Sequence, residues 1–489
     1  MNGGILLDIE TLLHGIEYEG TIDKKAEIAN VCSDSRKVGR GSAFVCIKGR
    51  RYDGHDAACR ALEAGAALIV SERPLGLRGE ITVRDTRLAY ARMCQNFFGN
   101  PQNKLRLVAV TGTNGKTTVT SIVKQALCAM GHKAGLIGTI RCEIGDIEIP
   151  AKFTTPEAWD CAALLARMAA SGCEYAVMEA SSQALDQGRL LGLRFDCAVF
   201  TNLTGDHLDY HGTMEQYYQA KKLLFAQADT AVLNIDDDYG RRLCGELPIP
   251  KITFSACDDG ADYTAKSIDC TAGGVRFALN GNGFLERMHF PMPGLYSVHN
   301  AMSAACALFA LGFDRAAACA AVSGTKGVRG RCEVLHSGDA TVICDFAHTG
   351  DGLRQLLSSL RPFAKGRLVV LFGCAGDRDA TKRPAMAKAV CDYADFIILT
   401  SDNPRTEDPL GIISEVQPFI KASGIPYTAQ PDRFYAIRWA LENLHKDDLL
   451  VLCGKGHEDY QVIDGCTIYL DEHRIVKDFF DEKTGGEKK

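Results

Sequence analysis

A chain of 489 residues that is 46% hydrophobic and 24% charged is long enough for about three domains and apolar enough to give each a core, which excludes a generally disordered protein. Its net charge of −6 excludes non-specific nucleic-acid binding, so an anionic ligand would need local basic patches. None of the 20 cysteines is spaced as C-x-x-C, and many (Cys197, Cys344, Cys374, Cys453) sit in apolar runs, as reduced buried thiols do in a reducing cytoplasm.

The opening stretch, MNGGILLDIETLLHGI, carries acids and no basic region, so no secretory signal is expected, and no apolar run is long enough to span a bilayer. The first unit runs to the turn signal Gly99-Asn100-Pro101, with apolar runs at 42–47 and 66–70 and an alanine-rich helical piece at 57–64. From 105 onward, strand candidates at 105–110, 175–178, 197–201 and 231–234 alternate with helical segments, which predicts an α/β fold with a parallel sheet. Polar clusters follow these strands directly, where open α/β sheets bind ligands. The glycine- and arginine-rich stretch 324–331 reads as a linker, and strands at 368–372, 396–400 and 449–453 predict a further, Rossmann-like domain. The expected domains are 1–103, 104–331 and 332–489. The closing EKTGGEKK reads as a frayed tail.

The segment TGTNGKTT, Thr111 to Thr118, follows the 105–110 strand and opens a helical run at 118–130. Strand, glycine loop, Lys-Thr and helix together make a phosphate cradle. Backbone N–H groups close on phosphate oxygens, Lys116 neutralises charge, a threonine hydroxyl ligates Mg²⁺, and the helix N-terminus adds its dipole. Val110 stands where the common G-x-x-x-x-G-K-[ST] form has its first glycine. A lone Gly-Lys-Thr match could be a surface loop, but the flanking strand and helix argue for a nucleoside triphosphate site.

Three clusters follow. Glu179, after the 175–178 strand, suits a Mg²⁺ ligand, while Ser181 and Ser182 equally suit a helix cap, and the residues alone leave both readings open. TNLTGDHLDYH, Thr201 to His211, is dense in metal-competent groups. His207 and His211 are four apart, but the zincin pattern needs glutamate where Leu208 stands, so a second Mg²⁺ site fits better than zinc; a polar surface turn is the bland alternative. Lys221 and Lys222, on a helical segment at 214–225, read as ordinary solvated lysines.

In the last third, Gly376-Asp377-Arg378-Asp379, Asp402-Asn403-Pro404-Arg405 and Gly454-Lys455-Gly456-His457-Glu458 each follow a strand. Three charged clusters at corresponding strand ends suggest one small zwitterionic ligand, with arginine on carboxylate and acids on ammonium. Solvated turn chemistry is the alternative, and Asn403-Pro404 is a good turn dipeptide.

Taken in order, TGTNGKTT, TNLTGDHLDYHG, GRCEV, DFAHTGDG, FGCAGDRDATKRP, DNPRTEDP and GKGHEDYQ resemble the signatures of the Mur ligases of peptidoglycan synthesis across nearly the whole chain. The resemblance implies three α/β domains, with a central P-loop ATPase-like parallel sheet and a C-terminal Rossmann-like domain. It implies cytoplasmic, ATP- and Mg²⁺-dependent addition of meso-diaminopimelate to UDP-N-acetylmuramoyl-L-alanyl-D-glutamate through an acyl phosphate. By the same resemblance, Ser33, Ser35, Arg50, Arg51 and Tyr52 would hold the uridine nucleotide, and Thr154, Thr155, Ser181, Gln187 and Arg189 the muramoyl-dipeptide side. Gly112, Thr113, Asn114, Gly115, Lys116, Thr117, Thr118, Asn300, Arg331 and Asp345 would hold ATP. Thr117, Glu179, His207 and a carbamylated Lys221 would hold Mg²⁺, with Lys116, Glu179, His207 and Lys221 as the catalytic set. Arg378, Asp402, Asn403, Pro404, Arg405, Gly454 and Glu458 would hold diaminopimelate, whose extra carboxylate suits Arg405.

The chain departs from the family pattern at EASSQ, where Gln183 replaces histidine, and at FAHTGD, with Phe346 and Gly350. Three alternatives stay open. One is an L-lysine-adding ligase of the same family, another is the related folylpolyglutamate synthase, and the third is a non-catalytic nucleotide-binding relative. A monomer with small-molecule substrates only, no nucleic acid and no membrane insertion is expected.

Overall fold

The computed structural model describes residues 6–23, 25–49, 52–271 and 273–486. The chain gathers into two compact units, Met1–Phe254 with Ser303–Ala318, and Ser255–Met302 with Cys319–Lys489.

The first unit holds a short antiparallel pair, Leu7–Asp8 with Glu27–Ile28, and two larger sheets. The smaller is parallel, in the order Asn30–Cys32, Ser42–Val45, Ala66–Ser71, Glu80–Thr82. Its strands are apolar on both faces, as buried parallel strands must be. Alternation with period two sends Val31, Ala43, Val45, Leu68 and Val70 into one core, and Cys32, Phe44 and Ile69 into another.

The larger sheet of this unit begins with the antiparallel hairpin Arg141–Ile144 and Ile147–Pro150. From that hairpin its order runs Ala134–Ile137, Tyr175–Glu179, Arg106–Thr111, Phe195–Phe200, Ala228–Asn234, Lys251–Ser255, all parallel. Leu107, Ala109, Met178, Ala198 and Phe200 form its buried centre. Arg106–Thr111 lies between Tyr175–Glu179 and Phe195–Phe200, and the chain leaves it toward one side and later returns on the other. That reversal opens a crevice at the strand ends, where open α/β sheets take ligands. The helix Lys116–Ala129 packs back on the sheet through Val119, Ile122, Val123, Ala126 and Leu127, which share one face at helical spacing.

In the second unit a sheet runs in the order Glu333–Ser337, Thr341–Asp345, Leu449–Cys453, Leu368–Phe372, Phe396–Leu399, Tyr427–Ala429. Only its first pair is antiparallel. Val342, Val369, Leu371, Ile398, Leu450 and Leu452 pack against Ala436, Ile437, Ala440 and Leu441 of the helix Arg433–Glu442. Register sets Phe372 beside Leu399 and Leu371 beside Leu452, so the polar clusters that follow these strands emerge at one sheet edge. This unit also carries an antiparallel meander, Tyr263–Thr271, Gly274–Gly281 and Phe284–Phe290.

The expected α/β class is therefore observed, with parallel sheets in both units. The 324–331 stretch has no helix or strand beyond a bridge of Val328 to Arg331. The tail needs correction: the helix Glu472–Gly486 runs into it, anchored by Glu482 on Arg438 at 2.9 Å and by Lys483 over the Phe479 ring. All 20 cysteines are free thiols, most of them buried. Among the described residues no helix is long and apolar enough to cross a membrane.

Candidate functional site

The loop between Arg106–Thr111 and the helix Lys116–Ala129 owes its shape to two glycines. Gly115 caps the helix with φ 87°, and Gly112 has φ 149° and no space for a Cβ, which would lie 1.9 Å from Thr201 Oγ1. The loop is tied to the end of the neighbouring strand. Thr113 N donates to Asn202 O, Asn114 N to Asn202 Oδ1, and Thr201 Oγ1 to Asn114 O at 2.6 Å. Lys116 Nζ folds back over the loop and donates to Gly112 O and Thr113 O, each at 2.8 Å. Thr118 is buried in the first helical turn.

Beside this loop, Glu179 is buried at the end of its strand. Its carboxylate accepts from Thr117 Oγ1 (3.0 Å), from Thr139 N (2.7 Å) and from Thr139 Oγ1 (3.0 Å). The helix-cap reading of this cluster is realised, because Ser181 caps the short helix Ser182–Asp186 through Ala184 N. Thr155 Oγ1 donates to Glu179 O and accepts from Ser181 N, and Thr154 Oγ1 lies 3.0 Å from Thr139 Oγ1.

Lys221 and Lys222 are not alike, which corrects the reading of both as solvated. Lys222 pairs with Glu246 at the surface, whereas Lys221 is buried. Its Nζ donates to Gly112 O at 2.8 Å and lies 4.5 Å from the Tyr217 ring centroid. Burial, reinforced by the nearby Lys116 charge, pushes the Lys221 ammonium well below the ordinary lysine range. Tyr217 joins the parts: its hydroxyl meets Thr113 Oγ1 at 3.2 Å and its ring stacks on His211 at 5.0 Å.

His207 begins the helix Leu208–His211 in the left-handed region, φ 54°, 3.6 Å from Asp206. Burial holds its imidazolium below the usual histidine range, against the pull of Asp206 and with Lys116 and Lys221 adding to the depression. His211 does not share a site with it, for its Nε2 meets Ser182 Oγ at 2.9 Å in the interior. Among the described residues no group of three or more His, Cys, Asp and Glu gathers to hold a metal ion, so the zinc reading has no ligand set.

A cavity of about 1190 Å³ opens in the same unit, lined by Ser33, Asp34, Arg87, Glu157, Gln187 and Tyr210 among others. Arg87 was not singled out from the sequence; it donates to Gln187 O (2.6 Å) and Lys48 O (3.1 Å) and so braces this wall. Arg189 is engaged by Gln187 Oε1, Thr155 O and Glu157, which fixes Gln187. Ser35 opens a one-turn helix capped by Asp34, and Tyr52 accepts from Arg60. Neither Ser35 nor Tyr52 lines the cavity. Arg50 and Arg51 lie outside the described residues.

In the second unit, two of the strand-end clusters meet around Lys455, to which the sequence assigns no separate role. Lys455 is fully buried; its Nζ donates to Glu458 Oε2 (2.6 Å) and Asn403 Oδ1 (2.9 Å), 3.6 Å from Asp402. Asn403 Nδ2 also donates to Glu458 Oε2 at 3.1 Å. Asp402 and Glu458 thus face one ammonium with two carboxylates. Gly454, φ 108°, closes against Asp402.

Arg405 has φ 55°, costly for a residue with a Cβ, and is held there by Val462 O. Its side chain reaches Gly376 O at 2.6 Å, and the carbonyl of buried Pro404 leaves no space for a Cβ on Gly376. Arg378 is exposed on the adjoining loop. Arg331 stacks on the Phe346 ring at 4.8 Å, and Phe346 in turn packs on His457. Half-buried Asp345 accepts from Cys332 N and Ala347 N, and desolvation raises its carboxyl above the usual range. Asn300 is buried on the helix Leu295–Ala310. Of the departures, Gly350 allows close approach to Ala385 O, where a Cβ would come within 2.9 Å; nothing in the structure explains Gln183.

Family models match three stretches: "Mur ligase family, catalytic domain" at residues 27–93, "Mur ligase middle domain" at 110–308 and "Mur ligase, glutamate ligase domain" at 330–456. The UDP-N-acetylmuramoyl-L-alanyl-D-glutamate--2,6-diaminopimelate ligase of Geobacillus thermodenitrificans is 43% identical over 91% of this chain and 93% of its own length. The Clostridium perfringens protein of the same name is 37% identical over 97% of this chain and its own full length (100%). A solved structure of a ligase of that name aligns with a TM-score of 0.73 at 33% identity, covering 98% of this chain and 100% of the other.

Proposed function

Because the chain belongs to the Mur ligase family, we propose that it adds meso-diaminopimelate to UDP-N-acetylmuramoyl-L-alanyl-D-glutamate at the expense of ATP, as a cytoplasmic monomer. In this reading 1–103 binds the uridine nucleotide, 104–331 binds ATP and 332–489 binds the incoming amino acid. The observation that carries it is the meeting of Lys116, Thr117 and Glu179 in the crevice beside the central strand.

The reaction is two transfers. The γ-phosphoryl group passes to the terminal carboxylate of the acceptor, giving an acyl phosphate and ADP. The amine then attacks the acyl carbon, phosphate leaves, and the amine releases a proton. Lys116 exchanges its loop carbonyls for phosphate oxygens, and the backbone N–H groups of the loop surround them, so the chain works by positioning and electrostatics rather than through a protein nucleophile.

The donors fit Mg²⁺, a cation that prefers oxygen: the Thr117 hydroxyl and the Glu179 carboxylate are 3.0 Å apart and next to the phosphate loop. When bound, the ion would neutralise charge on the transferring phosphoryl group. His207, held toward its neutral form, suits a further ligand. The depressed pKa of Lys221 favours its neutral amine, which suits attack on carbon dioxide; that would form a carbamate, release one proton and put an anion beside Gly112.

At the amino-acid end, the carboxylates of Asp402 and Glu458 suit an ammonium group, and Arg405 suits the carboxylate that diaminopimelate has and lysine lacks. Phosphate release measured with ATP and Mg²⁺ tests the reading. Release only when acceptor and amino acid are both present supports a ligase, and no release under any combination supports the non-catalytic relative.

A further inference from the structure

The strand Ala134–Ile137 ends in Gly138 and Thr139, and its register sets Ile137 beside Met178, one residue before Glu179. The Glu179 carboxylate lies in the crook these two residues make. Thr139 N donates to Oε1 at 2.7 Å and Thr139 Oγ1 meets Oε2 at 3.0 Å, so one residue holds both oxygens. A Cβ at Gly138 would stand 2.7 Å from Oε1, so glycine there lets the carboxylate approach the backbone. Thr154 Oγ1 is also 3.0 Å from Thr139 Oγ1. A hydroxyl has one proton and a carboxylate only accepts, so Thr139 gives its proton to Glu179 and Thr154 gives its own to Thr139.

We propose that Thr139 is the positioning residue for Glu179: its N–H and O–H clamp the carboxylate in place, so that the Thr117 hydroxyl can turn to a metal ion while Glu179 stays aimed. The proposal rests on reading Glu179 as a Mg²⁺ ligand. Thr117 is a temporary partner in it, whereas Thr139, with no ligating role of its own, is a permanent one. Groups that hydrogen-bond a ligating carboxylate typically carry about 10–100-fold in metal affinity.

The test reads binding, not turnover: calorimetry of the non-hydrolysable analogue AMPPNP on the full chain across a Mg²⁺ series, giving the Mg²⁺ concentration for half-maximal binding. Thr139→Val should raise that concentration about 10–100-fold, and Thr139→Ser, which keeps the hydroxyl, should restore it. Thr139→Ala makes the same deletion if valine is not accommodated. A Thr139 deletion that matches wild type while Glu179→Gln weakens Mg²⁺ dependence would overturn the proposal and leave Glu179 as a ligand. Unchanged Mg²⁺ dependence in Glu179→Gln would overturn the ligand reading, and the proposal with it.

Discussion

Lys221 Nζ lies 4.5 Å from the centre of the Tyr217 ring, one helical turn before it, in a pocket closed to water. The ring offers a π face and no lone pair, and among the described residues the Gly112 carbonyl is the acceptor for this amine. Removing the amine should abolish ligation without unfolding the protein. Lys221→Met should melt at or above the wild-type temperature in CO₂-free buffer near neutral pH. The sign follows from linkage. The folded-state pKa is depressed, so between it and the ordinary value of 10.5 the unfolded chain binds more protons, and wild-type stability rises with pH. The advantage of Lys221→Met should therefore shrink as pH approaches the ordinary lysine range, which melts at several pH values would check. In the same buffer, wild-type ligation should fall and recover on adding bicarbonate.

Gly112 tests the phosphate loop. An alanine Cβ would lie 1.9 Å from Thr201 Oγ1 on a backbone with φ 149°, so strain and clash act together. Gly112→Ala should cost about 1–3 kcal/mol of stability and abolish AMPPNP binding in calorimetry, while circular dichroism stays native.

Lys455 tests the amino-acid end. Removing a buried cation leaves Asp402 and Glu458 facing each other without it. Lys455→Met should lose about 3 kcal/mol in denaturant unfolding, the low end for a broken buried pair because Glu458 keeps some contact with water. Among molecules that fold, KM for the amino acid should change while KM for ATP holds.

Arg405→Lys should erode the preference for diaminopimelate over L-lysine by about 10-fold or more, because a point charge cannot reproduce a guanidinium fork on a carboxylate. Competition between the two amino acids, with products separated by mass, would measure it. An unchanged ratio would mean the second carboxylate is read by another group, with exposed Arg378 the next to replace.

What was legible in the sequence was local chemistry in a strand-loop-helix setting. Gly112 to Thr117 announce their cradle because the glycines, lysine and threonine act within one turn of chain. Glu179 was legible because it ends an apolar strand. Lys221 was marked only by the family resemblance and not by its own chemistry, since two adjacent lysines on a helix look alike until the face bearing Tyr217 is known to be the buried one. Thr139 gave no signal, because its partner Glu179 is 40 residues away and only sheet register brings them together. Lys455 was hidden by its neighbours in a motif rich in charges. His211 invited a zinc reading through its spacing from His207, whereas its partner is Ser182, on another helix.

The most direct measurement is ATP- and Mg²⁺-dependent ligation with UDP-N-acetylmuramoyl-L-alanyl-D-glutamate, offered meso-diaminopimelate and L-lysine in parallel and read by product mass. The tripeptide product should form with diaminopimelate and not with lysine, and it should disappear in Lys116→Ala. Product with lysine alone would contradict the assignment of Arg405 and its neighbours, and no product with either amino acid would contradict the ligase itself.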